Sequence, residues 1–236
     1  MALTQTARKF EAELASLREE LLLMAGRVEE MIHRAGRALV ERDIKLAHET
    51  MALDRAVNRA EVEIDERCLV ILARHQPLAS DLRFVTLAMK MVTDLERIAD
   101  LAVNICERAI DLSRADRIVV HADIPVMTRL VQEQVAGSID AFVNGDSSKA
   151  WEVLDNDDEV DDLYHRVFED SLERMRLAPD KVHQLIHIQS VAKWLERMGD
   201  HSTNLAELVI FMLEGRDIRH PEHQSAKIAG NKIASE

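Results

Sequence analysis

The sequence predicts an all-α protein of two tandem three-helix bundles, that is, six long antiparallel helices related by an internal duplication. Composition is the first reason. Aromatic residues are only 3% of the chain and there are only 7 Gly and 4 Pro, whereas 31% of the residues are charged. Such a chain is rich in helix formers and poor in strand and turn formers. Helical spacing of apolar residues and an internal repeat are the other two reasons.

The first three helices follow from apolar residues that recur in steps of three and four. One helix is predicted over about residues 5–42, and a second ends near Arg74. Pro77 marks the boundary, and Asp81 suits the first turn of a third helix that continues to about Leu112. The apolar seams of the first two helices are Leu14, Leu17, Leu21, Met24, Val28, Met31, Ala35 and Ala38, and then Leu46, Thr50, Leu53, Val57, Ala60, Ile64, Cys68 and Ile71.

The second half repeats this plan after a polar linker at Ser113 to Asp123. Three more helices are predicted near 124–144, 147–176 and 180–214, with turn signals between them at 144–146 and 178–180. The predicted domains are therefore residues 1–116 and 117–214. Residues 215–236 have no apolar period and are predicted to be a disordered tail.

Charge and hydropathy limit the class of protein. A net charge of −13 argues against nucleic acid as the main partner and favours cations or basic protein surfaces. No apolar run approaches the ~20 residues of a membrane span and no secretory segment opens the chain, so we expect a cytoplasmic protein that is not membrane-embedded. Cys68 and Cys106 lie at apolar-leaning helical positions and are expected to be core residues.

The internal repeat carries the candidate site. LERIADLAVNICE from Leu95 to Glu107 matches LERMGDHSTNLAE from Leu195 to Glu207 at six of thirteen positions. On a helix, the side chains of Glu96, Asp100, Asn104 and Glu107 fall within an arc of roughly 80°. Their counterparts in the second copy are Glu196, Asp200, Asn204 and Glu207.

Each acidic stripe is expected to face outward, opposite the core face of its helix, and a carboxylate row in that position is usually only a solvated surface. Two observations favour a site instead. Both copies retain the stripe, and the preceding helix of each half has its own acidic spacing, at Asp54 and Asn58 in the first half and at Asp157 and Asp161 in the second. Helices that offer oxygens at i and i+4 are suited to a hard cation or a cluster of cations.

At these motifs the chain resembles the PhoU family of phosphate-uptake regulators. The matching stretches are AVNRAEVEIDERC from Ala56, RHQPLASDLRFV from Arg74, and both copies of the LER motif, and the resemblance covers residues 5–214. Two positions depart from the pattern. Ala99 stands where the second copy has the more family-like Gly199, and the second half has no QPxAxDLR segment at residues 178–180.

The resemblance implies a homodimer-forming adaptor that couples a phosphate ABC transporter to a phosphate-sensing histidine kinase and restrains phosphate uptake and the starvation response. In some members of the family, pairs of E/DxxxD motifs hold multinuclear metal sites. Carried onto this chain, the metal positions are Glu96, Asp100, Asp54 and Asn58 in the first half and Glu196, Asp200, Asp157 and Asp161 in the second, with Asn104 and Asn204 on the same stripes. Because only oxygen donors are on offer, iron, manganese, magnesium or calcium is expected.

Other motifs do not indicate an enzyme. Glu30 and His33 form a lone ExxH, whereas a ferritin-like di-iron bundle needs two. His183 and His187 have a zinc-like spacing without a third ligand, so they are interpreted as surface histidines. The sequence also shows no Gly-rich or arginine-clustered anion pocket, so no direct phosphate binding is predicted. A metal-free helical scaffold remains the alternative, and a metal-dependent phosphatase or oxidase is a more remote one.

Overall fold

The computed structural model describes residues 2–216 and 218, and in these residues the fold is helical without strands. Six long helices confirm the predicted fold class, and the second half has an additional helix of 9 residues, α5. A short 3-10 helix, Pro179–Lys181, precedes the last helix. The helices are α1 (Ala2–Glu41), α2 (Ile44–His75), α3 (Ala79–Arg114), α4 (Asp123–Asn144), α5 (Ser147–Asp155), α6 (Asp157–Leu177) and α7 (Val182–Glu214).

Tight connections fold the first three helices against one another. Asp43 caps α2, since its side chain accepts a hydrogen bond from the backbone N–H of Leu46 at 3.0 Å. Gln76 ends α2 in the left-handed conformation, with φ 47°, and its N–H donates to the carbonyl of Leu72. The chain then passes Pro77 and enters α3, so the predicted boundary at this proline is confirmed.

The prediction of one unbroken helix over 147–176 is wrong. Asn156, with φ −97° and ψ 3°, separates α5 from α6. Short polar side chains such as Asn and Asp compete with helical hydrogen bonds. In addition, Asp157, Asp158 and Glu159 place negative charge in the first turn of α6, where the helix dipole favours it. The local sequence therefore favours a new helix start over continuation.

The core follows the apolar seams. Most predicted seam residues are buried, and Leu14, Leu46, Leu53 and Ala60 are partly buried against them. Cys68 and Cys106 are free, buried thiols, as expected. Burial raises the pKa of each to about 12, so neither is a ready nucleophile.

The two halves meet mainly along α3 and α7, which run antiparallel. Asp94 Oδ1 on α3 lies 2.8 Å from His201 Nδ1 on α7, and farther along α3 Arg108 Nη1 lies 3.4 Å from His187 Nδ1. Helix α2 packs on the other side of α3, and α6 packs on α7. Helix α1 packs on α2 and α3 and also reaches α4 in the second half.

The predicted disordered tail lies outside the described residues except for Gly215, Arg216 and Ile218. Of these three residues, Ile218 is only 3% exposed and packs against the core. Within the described ranges, no helix has the length and apolarity that crossing a membrane requires.

A close contact between α1 and α4 gives a test of this packing. A Cβ added at Gly36 would lie 2.6 Å from Cγ2 of Thr128 and 3.0 Å from its Oγ1. We therefore expect Gly36→Ala to force the helices apart and to lower the free energy of unfolding by about 1–3 kcal/mol. Urea denaturation at constant m-value measures this change.

Gly26 is the matched control, because it lies on the same helix and a Cβ there meets nothing within 4 Å. Gly26→Ala should raise the free energy of unfolding by about 0.5–1 kcal/mol through helix propensity. Adding Thr128→Ala to the Gly36 variant should restore part of the loss. Equal gains from both alanine substitutions would contradict the close α1–α4 approach.

Candidate metal centre

The first candidate site lies between α2 and α3 and contains Asp54, Glu61, Glu96 and Asp100, which we name the α2–α3 acidic cluster. Burial raises the pKa of Asp54, and the negative charge of Asp100 raises it further. The pKa of Glu96 is raised in the same way, first by burial and then by Asp100. The fold thus brings the carboxylates predicted on two separate helices into one electrostatic unit.

The second site lies between α6 and α7 and contains Asp157, Asp161, Glu196 and Asp200, which we name the α6–α7 acidic cluster. The pKa of Asp157 is raised to about 6, first by burial and then by the charges of Asp161 and Asp200. Burial and the charge of Glu196 raise the pKa of Asp161. The four predicted carboxylates of the second half therefore lie close enough to repel one another.

The two glutamates are more buried than an outward-facing stripe would be. The side chain of Glu96 is 16% exposed and that of Glu196 is 13% exposed. The side chain of Asp100 is 45% exposed and remains on the surface. The expectation that the stripes point outward is wrong for the glutamates, because α2 and α6 pack beside α3 and α7 and cover them.

Several buried acceptor atoms of the clusters have no donor among the described residues: Asp54 Oδ1 in the first cluster, Glu196 Oε2 in the second, and the neighbouring Asp65 Oδ1. A buried polar atom without a partner costs about 1–3 kcal/mol. Such atoms therefore favour a positively charged or hydrogen-donating ligand.

Basic side chains offset part of the negative charge. Arg97 lies 3.6 Å from Glu96 and 3.5 Å from Asp100. Lys193 donates to Glu196 Oε1 at 2.5 Å. The sequence interpretation missed both residues, although each lies within three positions of a predicted carboxylate on the same helix.

Gln134 on α4 was also missed. It is 5% exposed, and its Oε1 accepts no hydrogen bond from the described residues. A Cβ at Gly199 would lie 3.3 Å from this oxygen and 3.6 Å from Asp157 Oδ1. Gly199 thus leaves room for both oxygens beside α7. No sequence signal links Gln134 to the stripe, because it comes from a different helix.

The predicted asparagines differ in position. Asn58 donates from Nδ2 to Asp54 Oδ2 at 3.0 Å, so it lies at the first cluster. Asn104 is half-buried on α3. Asn204 is exposed and lines a cavity between α3 and α7 together with Asp65 and Lys90. In the described part of the chain, no three His, Cys, Asp or Glu side chains converge as a ready metal site.

The crowding at Asp157 predicts a pH effect in metal-free protein. The folded pKa of about 6 lies above the usual value of 3.8, so the folded state binds more protons than the unfolded state between these two values. Stability should therefore fall as pH rises through this window and stay lower above it. Asp157→Asn should flatten this fall and raise the free energy of unfolding at pH 7 by about 1 kcal/mol, a value reduced for solvent screening.

Glu159→Gln is the control, since Glu159 is exposed in the same first turn of α6 and its loss removes the same favourable charge from the helix end. Urea unfolding in chelator at pH 4.5 and pH 7 measures both variants. The same pH slope in wild type and Asp157→Asn would show that this carboxylate is not perturbed.

Comparison with known proteins places these features in a family. The PhoU domain matches residues 21–109 and 124–209, one match in each half. A relative from Pseudomonas aeruginosa, called a phosphate-specific transport system accessory protein PhoU homolog, is 37% identical over 215 residues, which are 91% of this chain and 89% of the relative. A relative of the same name from Pseudomonas putida is 35% identical over 97% of this chain and 90% of its own length.

Solved structures agree with the sequence matches. The crystal structure of PhoU from Pseudomonas aeruginosa has a TM-score of 0.85 at 37% identity and covers 88% of this chain and 100% of that one. The phosphate transport system regulatory protein PhoU from Streptococcus pneumoniae has a TM-score of 0.80 at 26% identity, over 89% and 100% of the two chains. With both halves matched in sequence and in fold, the chain belongs to the PhoU family.

Proposed function

We propose that the chain is a cytoplasmic, non-enzymatic adaptor of phosphate signalling. It couples a phosphate ABC transporter, through the ATPase, to a phosphate-sensing histidine kinase, and it acts as a negative regulator of phosphate uptake and the starvation response. The observation that carries this proposal is the match to accessory proteins of phosphate transport over 97% of the chain, which includes both acidic clusters.

The proposal includes cations on both acidic clusters. Asp54, Glu96 and Asp100 would hold them in the first half, with Asn58 beside Asp54. Asp157, Asp161, Glu196 and Asp200 would do so in the second half. The unpartnered oxygens of Asp54 and Glu196 support this assignment, because a hard cation bound by oxygen ligands would satisfy them.

Gln134 adds a neutral oxygen to the second cluster. Its buried, unpartnered Oε1 lies beside Asp157 near Gly199. A bound cation supplies positive charge that relieves the repulsion among the carboxylates. The residues of the two acidic clusters would then hold α2 against α3 and α6 against α7. Each of these helix pairs would form a fixed surface for docking.

Assembly and the alternative function follow from other features. The long heptad seams of α1 and α2 support a homodimer, which is part of the proposal.

A metal-free helical scaffold, whose acidic faces dock onto basic partners, is the second candidate. It is favoured by the absence, in the residues described, of three side chains that already converge on one metal.

Elemental analysis of the purified protein tests metal binding. After loading with iron or manganese and desalting, we expect stoichiometric metal in the wild type. Asp100→Asn combined with Asp200→Asn should lose most of it, because each cluster loses one carboxylate charge. Single substitutions should each remove metal from one half only.

Glu63→Gln combined with Glu169→Gln is the matched control. It removes the same charge from exposed positions on α2 and α6, and its metal content should equal that of the wild type. Unchanged metal in the Asp100 and Asp200 variant would remove these residues from the site and favour the scaffold.

Gene deletion tests the regulatory role. In high phosphate, loss of the protein should derepress phosphate-starvation genes, because the link from transporter to kinase is broken. Replacing Glu96, Asp100, Glu196 and Asp200 by alanine should weaken repression without unfolding the chain. A reporter fused to a starvation promoter measures both effects, and circular dichroism checks the fold.

The two possible failures have different meanings. Normal repression with the quadruple variant would separate the clusters from the regulatory role. Normal repression after full deletion would overturn the adaptor and leave the scaffold. The Glu63 and Glu169 double variant again serves as the charge-matched control.

A further inference from the structure

An exposed apolar strip runs along the groove between α6 and α7. Three of its members are Phe168 and Leu172 on α6 and Ile186 on α7, whose exposed fractions are 37%, 48% and 49%. Tyr164, one turn before Phe168, is partly buried and extends the strip, and the centroids of these two rings are 6.3 Å apart. We name these four residues the α6–α7 apolar strip.

The packing of α6 on α7 determines where the strip lies. Gln189 Nε2 donates to the hydroxyl of Tyr164 at 3.4 Å, and Lys193 Nζ lies 5.2 Å from the centre of the Tyr164 ring. The two helices are joined by a short connection and run antiparallel. The next turn of α6, at Phe168, therefore lies beside the preceding turn of α7, at Ile186. The strip is one continuous surface built from both helices.

The strip is in line with the α6–α7 acidic cluster. Asp161 and Asp157 precede Tyr164 by about one and two turns and lie on the same face of α6. The groove is therefore acidic at one end and apolar along the rest of its length. From Asp157 to Leu172 it extends about 22 Å, the length of roughly four helical turns.

The outer surface of α6 beside the strip is also acidic. The helix contains eight acidic and three basic residues. Two of its arginines already pair with aspartates, at 2.9 Å and 3.3 Å. In the part of the chain that the structure describes, the exposed carboxylates of Asp158, Asp162 and Glu173 have no basic group within 4.0 Å. The apolar strip therefore lies beside negative charge that the fold leaves unbalanced.

Helix packing does not explain the strip, because most of it is missing from the first half. The alignment of the acidic motifs places Glu61 and Asp65 of α2 at the positions of Tyr164 and Phe168. The LER repeat places Thr86 of α3 at the position of the isoleucine in the strip. A bundle of this fold thus forms with polar residues in the groove. Exposed apolar residues beside unbalanced charge are typical of a surface that binds another protein.

We propose that the α6–α7 apolar strip is the docking site for a basic amphipathic helix of a partner protein. Apolar residues of that helix, at i, i+4 and i+7 or i+8, would cover Phe168, Leu172 and Ile186. Lysine or arginine on its flanks, and at the end that faces Asp157 and Asp161, would complement the carboxylates of α6. A second copy of this chain is a poorer occupant, because two strips in contact would bring two acidic helices together.

This docking site rests on the proposed adaptor function, since an adaptor must present a surface to its partners. The binding test uses purified protein, so its outcome is independent of gene deletion. No binding at the strip together with derepression in the deletion would remove the strip and leave the adaptor. Binding at the strip with normal repression in the deletion would leave the docking site and overturn the adaptor.

Fluorescence anisotropy with the full-length chain, in chelator at pH 7.5, tests the proposal. The probe is a labelled synthetic helix of about 16 residues, the length of the groove, with leucines at the stated spacing and lysines on both flanks. It should bind saturably, and its affinity should fall several-fold between about 50 and 300 mM salt, because salt screens the charges at the rim. A peptide with glutamate in place of every lysine should bind at least about tenfold more weakly.

Substitutions in the strip identify the surface that binds. Phe168→Asp installs the residue that α2 has at the equivalent position, and it should weaken binding of the lysine peptide by about tenfold or more. Leu172→Gln should weaken it by about fivefold, and it replaces the first variant if that variant fails to fold. Leu69→Gln is the matched control, because it makes the same change at the equivalent, comparably exposed position of α2. Its binding should equal that of the wild type.

Several results would overturn the proposal. They are the absence of saturable binding, equal affinity for the lysine and glutamate peptides, unchanged binding in both strip variants, and equal losses from Leu172→Gln and Leu69→Gln. Light scattering provides a further check on the occupant. If Phe168→Asp converted a dimer into a monomer, the strip would be an interface between two copies of this chain and not the docking site of a partner helix.

Discussion

The antiparallel packing of α3 on α7 is the constraint on which the rest of the molecule depends. Each of these helices forms part of the core of its own half and also contacts the other half, and together with the contact between α1 and α4 this interface joins the two bundles into one body. The contacts from Asp94 to His201 and from Arg108 to His187 fix the register of the pair. The flanks of α3 and α7 then meet α2 and α6, and there the acidic clusters form.

Apolar burial and charge repulsion oppose each other at those flanks. The seams that bury Leu95 and Leu195 also draw Glu96 and Glu196 toward a neighbouring helix that has carboxylates of its own. Hydrophobic burial is the larger contribution over a whole helix, so the helices stay packed, and burial first and repulsion second raise the pKa values of Glu96 and Asp157. Arg97 and Lys193 lessen the repulsion without removing it.

Sequence periodicity predicted the buried seams well because the spacing of apolar residues shows which face of a helix turns toward the core. Helix packing depends on little more than the position of that face. It was wrong at Asn156, where the apolar spacing continues through Val153 and Val160 while the polar run between them breaks the helix. Periodicity also predicted the face of α3 on which Glu96 lies. It did not predict how far Glu96 is buried, because that burial depends on how closely α2 packs against α3. Gln134 and the pairing of Arg108 with His187 depend on tertiary packing between distant segments, which local pattern does not contain.

The antiparallel α3–α7 pair has the geometry of a two-fold dimer held within one chain. In a symmetric homodimer every substitution occurs twice, so both ends of such an interface must change together. Covalent fusion of the halves removes that restriction, and the repeat shows the result: Arg83 and Phe84 occupy positions equivalent to His183 and Gln184. Natural selection can therefore specialise one end of the helix pair alone, while the carboxylates nearer its middle stay duplicated.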